Sequence, residues 1–92
     1  MDLNSRVILS ENIFAQEVDG EMVLMDMESE EYFGLDAIGA VFWQVLQEAG
    51  TLEKALEHLL DRYDTEEAVL KKDLIEFVEK LKTNGLASLA EE

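Results

Sequence analysis

The segment "VLMDMESEEYFGLDAIGAVFW", Val23–Trp43, decides the fold because it changes from a strand pattern to a helix pattern within a few residues. It begins as an apolar strand, is interrupted by the polar turn "ESEE", and resumes with the four residues "YFGL". Asp36 then occupies a typical helix N-cap position, and the helix after it is apolar on nearly every side. The segment therefore predicts a short strand directly before a buried helix.

The residues before this segment predict a β-hairpin. Asp19-Gly20 separates two apolar runs, and a two-residue type I′ turn needs residues that tolerate positive φ at both central positions. We therefore expect antiparallel strands near residues 12–18, 22–27 and 31–35, joined in sequence order as a meander.

The residues after the segment predict three helices, near residues 37–49, 52–62 and 66–84. Gly50 and Gly85 are expected to end the first and the third, and Asp64 with Glu67 resembles a capping box before the third. Apolar residues at helical spacing predict a single core. The residues expected to be largely buried are Phe42, Leu56, Leu59, Leu74, Phe77 and Leu81.

These elements together predict an α+β fold, a three-stranded antiparallel meander followed by three helices. A chain of 92 residues suggests one domain spanning residues 1–92. Its core is expected at about residues 12–87. Residues 1–11 and 88–92 are expected to be loosely held.

The charge of the chain excludes several classes of partner. Twenty-two acidic residues oppose seven basic ones, for a formal net charge of −15. Phosphate backbones and anionic lipids are bound through Lys and Arg, so we expect neither nucleic acid nor a membrane as partner. The N-terminus has no signal-peptide pattern and Cys is absent, which fits a cytoplasmic protein.

The residue inventory does not indicate an enzyme. His58 is the only histidine, and without cysteine it cannot form a typical zinc site. No carboxylate lies in an obvious apolar pocket that would shift its pKa towards catalysis. We therefore expect no catalytic residues, no metal and no cofactor.

The third helix has a feature beyond its core stripe. Lys71, Ile75, Val78 and Lys82 fall on one stripe beside the core face. This stripe is either the margin of the core, covered by lysine stems, or the wall of a groove. The opposite flank, with Val69, Asp73, Glu76 and Lys80, is the alternative wall.

Several short motifs in a fixed order resemble the PqqD-like family. They are the "DGE" hairpin at Asp19–Glu21, "Leu-Asp"-like Met25–Asp26, the strand Tyr32–Asp36, the helix motif Gly39–Trp43, and a last helix with Asp73, Phe77, Leu81, Gly85 and Leu86. The resemblance covers about residues 12 to 87. The chain departs from the family pattern in carrying Asp36 where Asn is common and in its strong acidity.

The resemblance implies a winged-helix-like element that recognises the leader segment of ribosomally made, post-translationally modified peptides. It implies that the leader adds as a strand beside the third predicted strand, against the third helix. It further implies delivery to a radical-SAM enzyme, a leader peptidase or a cyclase, as in lasso peptide or radical-SAM pathways. The peptide-binding residues would be Glu31, Tyr32, Phe33, Gly34, Leu35, Lys71, Ile75, Val78 and Lys82.

An exposed edge strand explains physically how a small protein could bind an extended peptide. Its unpaired N–H and C=O groups let a peptide complete the sheet, while side-chain pockets select among peptides. A rival interpretation is an acidic protein–protein interaction or chaperone-like module without a leader-peptide role. A diverged enzyme subunit is a third.

Overall fold

The computed structural model describes residues 4–19 and 21–90. Within them the order of elements is β1 Arg6–Leu9, β2 Ile13–Val18, β3 Glu21–Asp26, β4 Tyr32–Leu35, α1 Ala37–Ala49, α2 Leu52–Arg62, α3 Glu67–Thr83 and β5 Ala87–Ala90. The first two helices have the predicted bounds, and the third differs by one residue at each end. The predicted α+β architecture, a three-stranded antiparallel meander followed by three helices, is confirmed.

Strands β2, β3 and β4 form one antiparallel sheet in that order, so β2 and β4 are its two edges. Val18 pairs with Glu21 across a two-residue connection, as the sequence predicts. Asp19 has φ of 52°, which a type I′ turn requires at its first central position. The predicted role of Gly20 lies outside the described residues.

The two ends of the chain differ from the expectation of loosely held segments. Strands β1 and β5 form a second antiparallel sheet, in which Arg6 pairs with Ala90 and Leu9 pairs with Ala87. Val7 and Leu86 are buried in the common core. Four-residue strands are too short to show a periodic pattern, and each has its partner at the opposite end of the sequence. Residues 1–3 and 91–92 lie outside the described part, and the single-domain organisation stays a prediction.

Local capping fixes where the helices begin and end. The Asp36 carboxylate accepts a hydrogen bond from the Gly39 amide at 2.7 Å, and Thr51 caps α2 by accepting from the Lys54 amide at 3.2 Å. Gly50 and Gly85 end α1 and α3 with φ of 81° and 74°. The capping-box prediction for α3 is wrong. Its N-cap is Glu66, without a side-chain cap bond, so Asp64 is left outside the helix.

The helices pack on one another, and α1 also packs on the inner face of the meander. Five of the six predicted core residues are buried, together with Trp43 and Leu24. Phe77 is the exception, because it lies half-buried at the margin of the core. No helix within residues 4–19 and 21–90 is both long and apolar enough to cross a bilayer.

Candidate functional site

Within residues 4–19 and 21–90, strand β4 has a neighbouring strand, β3, on only one side of its backbone. The Asp26 amide donates to the Glu31 carbonyl at 2.9 Å, which sets the alternation of the antiparallel pair. Residues 31, 33 and 35 therefore direct their N–H and C=O groups towards β3. Tyr32 and Gly34 direct theirs away from the sheet, towards its free edge. An extended peptide would meet these two residues.

A groove of about 430 Å³ runs between this edge and α3. One wall is β4 with the N-cap of α1, and the other is the C-terminal half of α3. The lining residues are Tyr32, Phe33, Gly34, Leu35, Asp36, Phe77, Lys80, Leu81, Asn84 and Leu86. The groove therefore combines a free strand edge with a mixed apolar and polar floor.

The side chains of β4 alternate between the two faces of the sheet. Phe33 and Leu35 are half-buried and pack against the core. Tyr32 and Gly34 are on the opposite face, where the Tyr32 side chain is 69% exposed. A Cβ atom added at Gly34 would meet nothing within 4 Å. Phe33 and Leu35 thus hold the strand against the core, while Tyr32 and Gly34 face solvent.

Phe77 marks the place where α1, α3 and the groove meet. Its ring packs edge-on against Phe42 with centroids 5.6 Å apart. A Cβ added at Gly39 would lie 3.5 Å from Phe77 Cε1, so the start of α1 approaches α3 closely here. The half-buried ring of Phe77 consequently serves both the core and the groove.

The family model described as Coenzyme PQQ synthesis protein D (PqqD) matches residues 21–87, which is more than half of the sequence. The chain belongs to the PqqD family. The matched range runs from the start of β3 to the first residue of β5, so both walls of the groove lie within it.

Two solved structures are similar to this PqqD-family chain. The structure of TbiB1 in complex with the TbiA(beta) leader peptide has 27% identity and a TM-score of 0.80, covering 88% of this chain and 94% of that chain. A lasso peptide synthetase B1 complexed with the leader peptide has 29% identity and a TM-score of 0.79, covering 90% of this chain and 98% of that chain. No curated protein matches the sequence.

The predicted strand half of the site comes together in this PqqD-family structure, and the predicted helix half does not. Tyr32, Phe33, Gly34 and Leu35 line the groove, with Glu31 directly before them. Lys71 and Ile75 lie on another surface of α3, beside Ala68, Lys72 and Glu76. Exposed Lys82 is not among the groove residues either.

The predicted position of Val78, beside the core face, is wrong. Its side chain is 0% exposed and belongs to the core. The apolar face of α3 is wider than the stripe drawn from its leucines and phenylalanine, because α1, α2 and β5 all pack against this helix. Whether any of these residues binds a peptide is not tested by the fold and stays a prediction.

The alternative flank of α3 supplies the observed wall in part. Lys80 lines the groove, whereas Asp73 and Val69 border a second pocket about two and three turns earlier. Glu76 lies instead beside Ile75. Phe77, Lys80 and Asn84 are spaced as i, i+3 and i+7, so they share one side of the helix. That spacing can be seen in the sequence, but the sequence pattern predicts Phe77 as a core residue.

The groove contains few charged side chains. Its charged lining residues are Asp36 and Lys80, and one Asp36 oxygen is already held by the Gly39 amide. Among residues 4–19 and 21–90 no three His, Asp or Glu residues are grouped so that they could hold a metal ion. The groove is therefore lined mainly by backbone groups and uncharged side chains.

Proposed function

We propose that this chain binds the leader segment of a ribosomally made precursor peptide and presents it to a modifying enzyme. The leader would add as a fourth strand of the meander along β4 and pack on Phe77, Lys80 and Asn84 of α3. The observation that carries the proposal is the free edge of β4 beside the groove. Membership of the PqqD family supports it, as do two similar structures that are leader-peptide complexes.

The energetics require both the strand edge and the groove. Tyr32 and Gly34 offer two N–H and two C=O groups, and a net gain of about 1 kcal/mol per hydrogen bond gives about 4 kcal/mol in total. That corresponds to a dissociation constant of about 1 mM. Micromolar binding needs about 8 kcal/mol, so apolar side chains of the leader must supply the rest in the groove. Backbone pairing then gives general affinity, and the groove gives selectivity.

We infer that the protein acts by presentation and not by catalysis, in the cytoplasm, with an enzyme as its second partner. The groove offers backbone groups, apolar side chains and two charged residues, one of them engaged in a helix cap. These features hold a peptide in place. A radical-SAM enzyme, a leader peptidase or a cyclase would carry out the chemistry on the part of the precursor outside the groove.

Replacing Gly34 with proline tests strand addition directly. Proline removes one of the two amides that point to the free edge, and it leaves the amides of residues 33 and 35, which face β3, in place. We expect Gly34→Pro to weaken binding of a synthetic leader by at least roughly tenfold, since a main-chain bond is lost and an acceptor is left unpaired. The leaders to titrate are those of any short precursor genes found next to the gene for this chain. Isothermal titration calorimetry measures the dissociation constant.

Two control variants isolate the effect of this amide. Gly34→Ala keeps the amide, and its added Cβ meets nothing within 4 Å, so binding should be retained. Ala15→Pro places the same residue at an outward-pointing position of β2, the opposite edge of the sheet, and should also bind normally. Normal binding by Gly34→Pro, or an equal loss with Ala15→Pro, would contradict strand addition at β4.

A further inference from the structure

A second, smaller pocket lies beside the groove, on the N-terminal half of α3. Ile38, Phe42, Val69 and Leu70 form its apolar part, and Asp64 and Asp73 are its acidic members. Ile38 is 56% exposed and Val69 is 47% exposed, although both are large apolar side chains. The volume of about 240 Å³ is below the roughly 300–1,000 Å³ usual for small-molecule sites, which suits one or two side chains of a peptide.

The pocket adjoins the groove at the start of α1 and along α3. Asp36 lines the groove and Ile38 lines the pocket, two residues apart at the start of α1. On α3, Phe77 lines the groove and Asp73 lines the pocket, one helical turn apart. The edge-on contact between Phe42 and Phe77 joins the two floors. A peptide leaving the groove towards the N-terminus of α3 therefore passes over this pocket.

The balance of charge changes along this path. The groove is lined by one base, Lys80, and one acid, Asp36, whereas the lining of the pocket contains Asp64 and Asp73 and no basic residue. Asp64 is not used as a cap for α3, whose N-cap is Glu66. Two exposed carboxylates beside an apolar pocket favour a peptide that carries a basic residue next to an apolar one.

The spacing of the charges fits a short extended peptide. Asp73 and Lys80 are seven residues apart on α3, which at 1.5 Å per residue is about 10 Å. An extended chain covers this distance in about three residues, at roughly 3.3 Å each. The residue opposite Asp73 would thus lie about three positions from the residue opposite Lys80.

We propose that this pocket is a specificity subsite for the leader peptide, receiving an aliphatic or aromatic side chain adjacent to Lys or Arg. That pair lies about three residues from the leader residue that faces Lys80. The inference rests on the proposed function. It adds the chemical class of leader that this chain selects, namely one with a basic–apolar pair at the end that reaches the start of α1 and α3.

Selection from a library of random dodecapeptides displayed on phage tests the subsite without knowledge of the natural leader. Peptides enriched on the unaltered protein should carry Lys or Arg beside an aliphatic or aromatic residue. Selection on Asp64→Lys/Asp73→Lys should replace those basic residues with Asp or Glu. The control Glu57→Lys/Asp61→Lys makes the same change of net charge at exposed positions of α2 and should keep the original preference.

The apolar part of the subsite has its own variant. Ile38→Ala should weaken the best selected peptide by roughly three- to tenfold, since part of an apolar contact is lost. It should leave the melting temperature nearly unchanged, because the side chain is mostly exposed. An unaltered dissociation constant for Ile38→Ala would overturn the apolar assignment. An unaltered charge preference in Asp64→Lys/Asp73→Lys, or an equal change in the α2 control, would overturn the acidic one.

Backbone amide NMR shifts separate failure of the subsite from failure of the proposed function. In one outcome, selected peptides change the amide shifts of Tyr32 and Gly34 and yet show no charge preference that depends on Asp64 and Asp73. That result would support strand addition and contradict the subsite. Selected peptides that shift neither Tyr32 nor Gly34 would contradict strand addition itself. Failure to enrich any peptide would likewise count against peptide binding by this chain.

Discussion

At the scale of single residues, Phe77 belongs both to the margin of the core and to the wall of the groove. It is half-buried, contacts Phe42 edge-on and lines the groove. A fully buried phenylalanine would cost about 3–5 kcal/mol on replacement by alanine. We expect Phe77→Ala to lower the free energy of unfolding by only about 1–3 kcal/mol, because part of the ring already meets solvent. It should also weaken leader binding, as measured by calorimetry on the folded variant.

Leu74 is the matched control for Phe77, one turn earlier on α3. It is buried and does not line the groove. Leu74→Ala should cost about 2–5 kcal/mol in urea unfolding, yet leave the dissociation constant of the folded fraction near its original value. A larger loss of stability for Phe77→Ala than for Leu74→Ala would show that Phe77 is more deeply packed than its exposure indicates.

At the scale of elements, α3 has two flanks that the sequence alone makes nearly equivalent. The flank with Lys71 and Ile75 lies outside the groove, and the flank with Phe77 and Lys80 lines it. We therefore expect the Ile75→Glu variant to bind the leader within about twofold of the unaltered protein, because Ile75 is only half-buried and lies on a flank of α3 that does not line the groove. Calorimetric titration of the leader measures this.

A matched pair of charge reversals distinguishes the flanks on the same helix. Lys80→Glu should change the dissociation constant by roughly two- to fivefold, and the effect should fade as salt is raised. Lys71→Glu makes the same charge change and should have little effect. A tenfold loss with Ile75→Glu, combined with normal binding by Lys80→Glu, would move the peptide to the opposite side of α3.

At the scale of the whole molecule, β1 and β5 tie the two ends of the chain to the core. Val7 is 5% exposed, and its neighbour Ile8 on the same strand is 47% exposed. We expect Val7→Ala to lower the free energy of unfolding by about 1–3 kcal/mol, through loss of buried methyl groups and the cavity left behind. Urea unfolding monitored by circular dichroism measures the change.

Ile8→Ala is the control within the same strand. It removes more atoms but from a mostly exposed position, so its effect should stay within about 0.5 kcal/mol. Equal small effects of both variants would mean that the ends contribute little to stability, as the sequence pattern alone suggests. A large loss only for Val7→Ala would establish the β1–β5 sheet as part of the cooperative unit.

Local sequence determined most elements of this protein. Asp19-Gly20 between two apolar runs, Asp36 and Thr51 as caps, and Gly50 and Gly85 as stops each act through neighbours a few residues away. Short-range signals of this kind can be read without the fold. Of the six core residues that the apolar periodicity of the helices predicted, five are buried. The motif order from Asp19 to Leu86 was enough to indicate the PqqD family.

Only the tertiary structure decided which surfaces face one another. Strand β1 pairs with β5, some eighty residues away in the sequence. A strand of four residues is too short to show the alternation of apolar and polar side chains that would predict such a pair. The choice between the two flanks of α3 depended on the position of α1, which approaches Phe77 at Gly39 and leaves the Lys71 flank outside the groove. Helical spacing fixes which residues share a face, but long-range packing fixes what that face meets. For that reason Val78 lies in the core, and Phe77 lines the groove.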